Sequence, residues 1–306
     1  MIRPIRPTDL PFLIASGAAL FPNQARTQGR LGRGQEGLLL SAFAGAFAPF
    51  SGSRRTWVST DRRHISALVS LQRRSGRSAW EVDAMLHKPD GCDDECIDLI
   101  ERAGYAAGQR GAEKLFLRLA DDSPSLETAR AAGFSPYHRE TLLRAQAAHL
   151  RADSPVACDV RQRTRHDEFA LFMLFNHCLP EAVRRAEGCT FDEWRATRER
   201  PSGDVAEYVL EREGNLIAWL QLVTHMGAQL SALIEPAHGD MAGPLIDEAL
   251  RRLDARGLVF SLVPDCCPEL RAVLLERGFE ATGTLVSMVR EVIARATRPS
   301  FVPAQA

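Results

Sequence analysis

The chain has 306 residues, 45% of them hydrophobic, with 38 basic side chains against 39 acidic ones. At about 100–200 residues per domain this length predicts two domains, each able to bury a core without disulfides or metals. The composition excludes a disordered chain, a fibre and a staple-dependent miniprotein, and a formal net charge of −1 excludes a nucleic-acid protein working through bulk charge. All but Lys88 and Lys114 of the basic residues are arginine, so those charges are fixed at any working pH. The arginine pairs Arg62/Arg63, Arg73/Arg74 and Arg251/Arg252 are balanced by acids, which again argues against nucleic acid. The cysteines at 92, 96, 158, 178, 189, 266 and 267 form no secretory framework, and Cys92/Cys96 lacks the second ligand pair a structural zinc needs. They read as reduced thiols, and nothing near Cys266-Cys267 marks a lowered thiol pKa.

The apolar stretch Leu10–Phe21 follows Arg3 and Arg6. Pro4, Pro7, Asp9 and Pro11 crowd its start and no small-residue cleavage site ends it, so it is not read as a signal peptide. The run Leu38–Phe50 is shorter than the ~18 residues that span a bilayer. A cytoplasmic protein without a membrane partner is expected.

The chain repeats itself. Trp57–Gln72 reads as strand, polar turn, strand, and Tyr208–Val223 has the same form. A strand then leads into a helix in both places, Ala79–Pro89 into Glu95–Gly111 and Gln229–Pro236 into Gly243–Gly257. In the later helix Leu245, Ala249, Leu250 and Leu253 share one face and Asp247, Glu248, Arg251 and Arg252 the other. Short strands follow at Lys114–Leu119 and Leu258–Val263. Helices Ser125–Phe134 and Glu269–Phe279 come next, each stopped by Gly-Phe, a glycine suited to the left-handed C′ position. Closing strands are expected at Glu140–Arg144 and Thr284–Arg290. Ile5–Leu10 echoes Val160–Asp167, Thr190–Glu193 is a candidate capping box, and Ala145–Cys158 reads as the linker. The expected fold is α/β with a mixed sheet, in two domains, 1–150 and 151–306.

This order resembles that of tandem GNAT proteins, the acyl-CoA N-acyltransferases, over roughly 2–144 and 158–291. The resemblance implies acetyl-CoA as co-substrate, no metal, a small-molecule amine or peptide as acceptor, and a monomer or homodimer. It also implies that the fourth strand of a half and the helix after it hold the acyl-CoA, with the pyrophosphate on helix N-terminal amides in a loop patterned [Gln/Arg]-x-x-Gly-x-[Gly/Ala]. Physics supports such a site, since orphan amides and the positive dipole end attract anions. No segment satisfies that pattern. The second half offers Leu233, Ile234, His238, Gly239, Asp240, Met241, Ala242 and Gly243, with Asp240 unfavourable and Pro244 lacking a donor. The first half instead places Asp93, Asp94 and Glu95 at the helix start, which would repel a pyrophosphate, so it reads as a degenerate helper domain. The glycine-rich Gln28–Gly34 follows no strand and reads as a loop, or as a lid carrying Arg30 and Arg33.

The family's tyrosine, four residues before Gly-Phe, is replaced by Ala129 and Leu274, and its asparagine, seven residues earlier, by Asp122 and Cys267. Two carboxylates remain as candidate catalytic groups. Glu235 ends a strand, either facing the site or capping the next helix. Asp83 lies on an apolar strand, either a base with a raised pKa or the partner of an arginine. His177 and His225 read as ordinary structural histidines. A second reading is a catalytically silent GNAT-like module that binds a ligand or protein.

Overall fold

The computed structural model describes residues 1–9, 11–12, 23–31, 53–61, 64–87, 93–153, 158–225 and 227–292. The runs Leu38–Phe50 and most of Leu10–Phe21, and with them Cys92, lie outside these. No helix among the described residues is long and apolar enough to cross a membrane.

The first half runs β1 (Ile2–Pro4), β2 (Arg54–Asp61), β3 (His64–Arg73), β4 (Ala79–His87), α1 (Asp93–Gly108), β5 (Lys114–Ala120), α2 (Ser125–Ala131) and β6 (Ser135–Gln146). The second runs β7 (Arg161–Gln162), α3 (Glu168–Cys178), α4 (Glu181–Glu187), α5 (Phe191–Thr197), β8 (Asp204–Arg212), β9 (Asn215–Thr224) and β10 (Ala228–Ile234). It ends with α6 (Ala242–Arg252), β11 (Leu258–Pro264), α7 (Pro268–Glu276) and β12 (Glu280–Glu291).

Local chemistry sets most of these boundaries. Glu213 and Gly214, both at positive φ, turn β8 into β9 as a two-residue loop whose twist matches the strands. Gly133 and Gly278 sit at φ +86° and +97°. The next amides, on Phe134 and Phe279, donate to Ala129 and Leu274, and both Phe rings are buried against the helices they end. Thr190 caps α5 by accepting from the Glu193 amide, but the Glu193 carboxylate takes the Cys189 amide instead of closing a box. The box forms at Thr164–Asp167.

The amino-terminal echo begins three residues earlier than the sequence suggests, pairing Ile2–Asp9 with Val160–Asp167. Arg3 grips both oxygens of Asp9 at 2.7 Å, and Arg161 grips both of Asp167 at 2.8 Å. Each pair ties an edge strand to the turn that follows it.

All the strands form one sheet in the order β1-β2-β3-β4-β5-β12-β6-β11-β10-β9-β8-β7. The closing strands are exchanged. β12 pairs with β5 of the first half, β6 pairs with β11 of the second, and the two lie antiparallel side by side at the centre. Val286 and Met288 of β12 accordingly lie in the core of β2–β5, α1 and α2. Leu143 and Ala145 of β6 lie in the core of β9–β11, α6 and α7. The opposite face of the second half carries α3–α5 with Phe172, Phe175, Trp194 and, from the sheet, Trp219 and Leu233. A last seam binds α5 to the β3–β4 turn. Gly76 donates to the Ala196 carbonyl at 2.7 Å, and any Cβ at Gly76 would stand 2.3 Å from that of Ala196.

Two outcomes follow from this exchange and from the Arg–Asp clasps. A chain cut between Ala152 and Asp153 keeps its parts associated through size-exclusion chromatography, whereas either part made alone lacks a central strand and aggregates. Hydrogen bonds from Arg3 and Arg161 hold Asp9 and Asp167 below the usual carboxylate range. The stability they add is therefore present above the unfolded value of about 3.9 and is lost as pH falls through the folded one. Urea melts at neutral and acid pH should show a smaller acid loss in Asp9→Asn and Asp167→Asn than in the parent.

Candidate functional site

Each half contains a parallel strand pair that starts in register and then splays. β4 and β5 pair only from Ala79/Lys114 to Glu81/Phe116, and β10 and β11 only from Ala228/Val259 to Leu230/Ser261. Beyond those points the facing edges need other partners for their backbone groups.

In the first half the chain supplies them itself. The Gln24 amide donates to the Met85 carbonyl at 3.0 Å and the Arg26 amide to Arg118 at 2.8 Å. The Asn23 side chain accepts from the Met85 amide at 2.8 Å and donates to the carbonyls of Asp83 and Ala25. This strap, Asn23–Thr27, fills the opening, with Asn23, Ala25 and Thr27 all buried. Asp83 is 1% exposed and its carboxylate pairs with Arg30 at 2.5 Å and Arg54 at 2.6 Å. At the start of α1, Asp93 accepts from Thr128 and Glu95 from Ser59 and Ser66. Those carboxylates are structural.

The second splay opens on a cleft of about 170 Å³ bordered by Ser231, Ala232 and Leu233 of β10 and Leu262 and Pro264 of β11. Its apolar wall comes from Leu171, Phe175, Leu179, Val183, Trp194 and Trp219. Its opposite wall is charged. Arg118 binds Glu140 at 2.7 Å and Glu199 at 2.7 Å. Arg74 binds Glu81 at 3.0 Å, Glu199 at 3.4 Å and the Thr197 carbonyl, with its guanidinium 3.9 Å from the Phe116 ring centre. Glu199 also accepts the Gln28 amide, and Glu140 the Ser287 hydroxyl.

Burial, reinforced by the Glu199 charge, raises the Glu81 pKa to about 7, with Arg74 opposing. Burial acts the same way on Glu199, but Arg118 and Arg74 win and bring it to about 2. Burial also raises Glu187, whose carboxylate accepts the Tyr137 hydroxyl at 2.8 Å, and it pushes Tyr137 well above the phenol range.

The remaining sequence candidates are dispersed. Glu235 lies just past β10, held by its amide on Ile217, with its carboxylate 3.6 Å from His177 and 3.3 Å from His238. It makes no side-chain cap and does not line the cleft. Asp83 does not line it either, so the two candidate acids are not brought together. Leu233 lines the cleft, while Ile234 is buried and its carbonyl accepts the Cys178 thiol. His238, Gly239, Asp240 and Met241 form a 3-10 turn (Pro236–Met241) that runs into α6, and the Ala242 amide is already given to Gly239. Gly243 faces the Arg277 guanidinium, with space for a Cβ 3.9 Å from it.

Three thiols gather where α3, β10 and β11 end. Cys266 lies 3.9 Å from Cys267 and points at the Cys178 carbonyl. Hydrogen bonding from Cys267 lowers the Cys266 thiol, which the sequence did not signal, and burial drives Cys178 up to about 12. Among the described residues no group of three His, Cys, Asp or Glu side chains is placed to hold a metal ion.

No family model and no curated protein sequence matches the chain. Solved structures do. A GCN5-related N-acetyltransferase from Sphaerobacter thermophilus superposes with a TM-score of 0.57 at 14% identity, covering 95% of both chains. A tandem GNAT protein from the clavulanic acid biosynthesis pathway superposes with a TM-score of 0.51 at 17% identity, covering 96% of this chain and 99% of that one. The chain has the tandem GNAT fold. The two splays hold matching places in the element order of the two halves, and the strap distinguishes them.

Arg118 joins both walls of the seam, so its loss strands two buried carboxylates. Arg118→Met should lower stability by about 3–5 kcal/mol in urea denaturation, the usual cost of breaking a buried ion pair from one side.

Proposed function

We propose that the second half transfers an acyl group from acetyl-CoA to an amine, with the first half (1–150) as scaffold and cleft wall for the second (151–306). The observation that carries this reading is the contrast between the two splays: one filled by Asn23–Thr27, the other open onto a cleft with charged and aromatic walls. Beyond Leu230 and Ser261 the facing edges of β10 and β11 no longer pair with each other, an opening that suits an amide-containing pantetheine arm. Leu233 and Ile234 border that arm. His238, Gly239, Asp240, Met241, Ala242 and Gly243 border the pyrophosphate, with the Arg277 guanidinium beside Gly243 already paired to buried Asp247 at 2.6 Å and the Ala242 amide already given to Gly239.

The chemistry needs an amine freed of its proton. The nitrogen lone pair then forms the C–N bond, the nitrogen gives up one further proton, the C–S bond breaks, and the departing thiolate takes up a proton in return. The base expected at Glu235 or Asp83 is better supplied by carboxylates that line the cleft, Glu187 and Glu140, with His138 beside them. Glu235 then orients His177 and His238 at the phosphate end, and Asp83 anchors Arg30 and Arg54 beneath the strap. A cytoplasmic setting, where acetyl-CoA is present, belongs to the same reading.

Titration calorimetry with acetyl-CoA tests the assignment. One site per chain is expected. Gly243→Glu should weaken it by about tenfold through like charge at the helix start, and Asn23→Ala should leave that binding site intact. Absence of heat at millimolar acetyl-CoA removes the proposal.

A further inference from the structure

The cleft has an asymmetry that acyl transfer alone does not require. Its charged lining holds three carboxylates, Glu140, Glu187 and Glu199, and three guanidinium groups, Arg74, Arg118 and Arg198. Glu140 and Glu199 are ion-paired within that set. Glu187 is not: its carboxylate accepts one neutral hydroxyl, from Tyr137, and makes no ion pair with any described residue. It also ends α4, where the negative end of the helix dipole disfavours an anion, and the last carbonyls of that helix already accept from the Lys114 ammonium at 3.0 Å. The groups that act on Glu187 from neighbouring elements are Arg74, Tyr137, His138 and Glu140. The same cleft is lined by Phe175, Trp194 and Trp219, with Leu171, Leu179 and Val183. A lining of that kind rewards an apolar or aromatic body, and the Arg198 guanidinium already lies 5.2 Å from the Trp194 ring centre.

We infer that the acceptor is an amphipathic monoamine, its ammonium seated against Glu187 and its apolar or aromatic body against Trp194, Trp219 and Phe175. This deepens the acyltransferase reading and rests on it for the chemistry, but the pocket's selectivity is a property of the free cleft. Polyamines with hydrophilic bodies leave the aromatic wall uncovered, and carboxylates of the same shape meet Glu187 as a like charge.

Intrinsic fluorescence of the full chain reads the site, because Trp194 and Trp219 line it. Three probes are titrated: 2-phenylethylamine, its anionic counterpart 3-phenylpropanoate, and the hydrophilic diamine putrescine. 2-Phenylethylamine should bind at least about tenfold more tightly than either, a factor of ten being one pair's worth of discrimination. Glu187→Gln, with circular dichroism confirming the fold, should erase most of that preference, whereas Tyr137→Phe keeps the carboxylate and should retain it. Equal binding of amine and anion, tighter binding of putrescine, or an unchanged preference in Glu187→Gln overturns the inference. Acetyl-CoA calorimetry on the same preparation separates the two levels. Heat from acetyl-CoA without amine preference leaves the donor site standing and removes this acceptor. Amine preference without acetyl-CoA heat removes the transferase and keeps an amine-binding cleft.

Discussion

The pairing of β6 with β12 is the constraint on which the rest of the molecule depends. Each strand closes the sheet of the half to which it does not belong, so neither half can complete its core alone. A single sheet results, and at the centre of that sheet side chains from both halves meet. Arg118 from β5, Glu140 from β6, Ser287 from β12 and Glu199 from the segment after α5 are neighbours only because of this order. The cleft of the second half thus has a wall built largely by the first.

That wall is expensive in desolvation terms and is kept together by mutual compensation. Isolated, any of its ions would face a penalty of several kcal/mol. Together, Arg74 and Arg118 hold the Glu199 carboxyl below the usual carboxylate range, while burial and the neighbouring Glu199 charge push Glu81 above it. The arrangement also fixes the geometry of the seam, since Arg74 stacks on Phe116 and bonds to Thr197 while it pairs with both acids.

Much of the fold was legible in the residues. The Gly-Phe stops and the Glu213-Gly214 turn are local signals with local causes, and the structure shows both where the sequence puts them; the helix read at Gly243–Gly257 ends instead at Arg252, and Asp247 of its polar face is buried in an ion pair with Arg277. The strand exchange was not legible, because β6 and β12 have the same pattern and nothing local says which neighbour each will choose. The strap was missed for a related reason. Asn23–Thr27 has no periodicity, and its role comes from edges more than fifty residues away. For the site, Asp83 was visible as a charge in an apolar strand, and the alternative that it pairs with arginine is the one found. Arg118 in Lys114–Leu119 and Glu81 beside Asp83 carried the same signal, charges inside strands that must be buried, but their partners lie across a seam that sequence spacing does not encode. Glu187 stood in a short polar helix like any surface acid.

The strap ties the two openings into one mechanical unit. After filling the first splay it continues to Gln28, whose amide holds Glu199 and whose carbonyl takes the Gln229 side chain of β10. The length of chain from Asn23 to Gln28 is thereby gauged at both ends, like a strut cut to fit. Insertions or deletions there would be felt at once in the filled opening and in the open one.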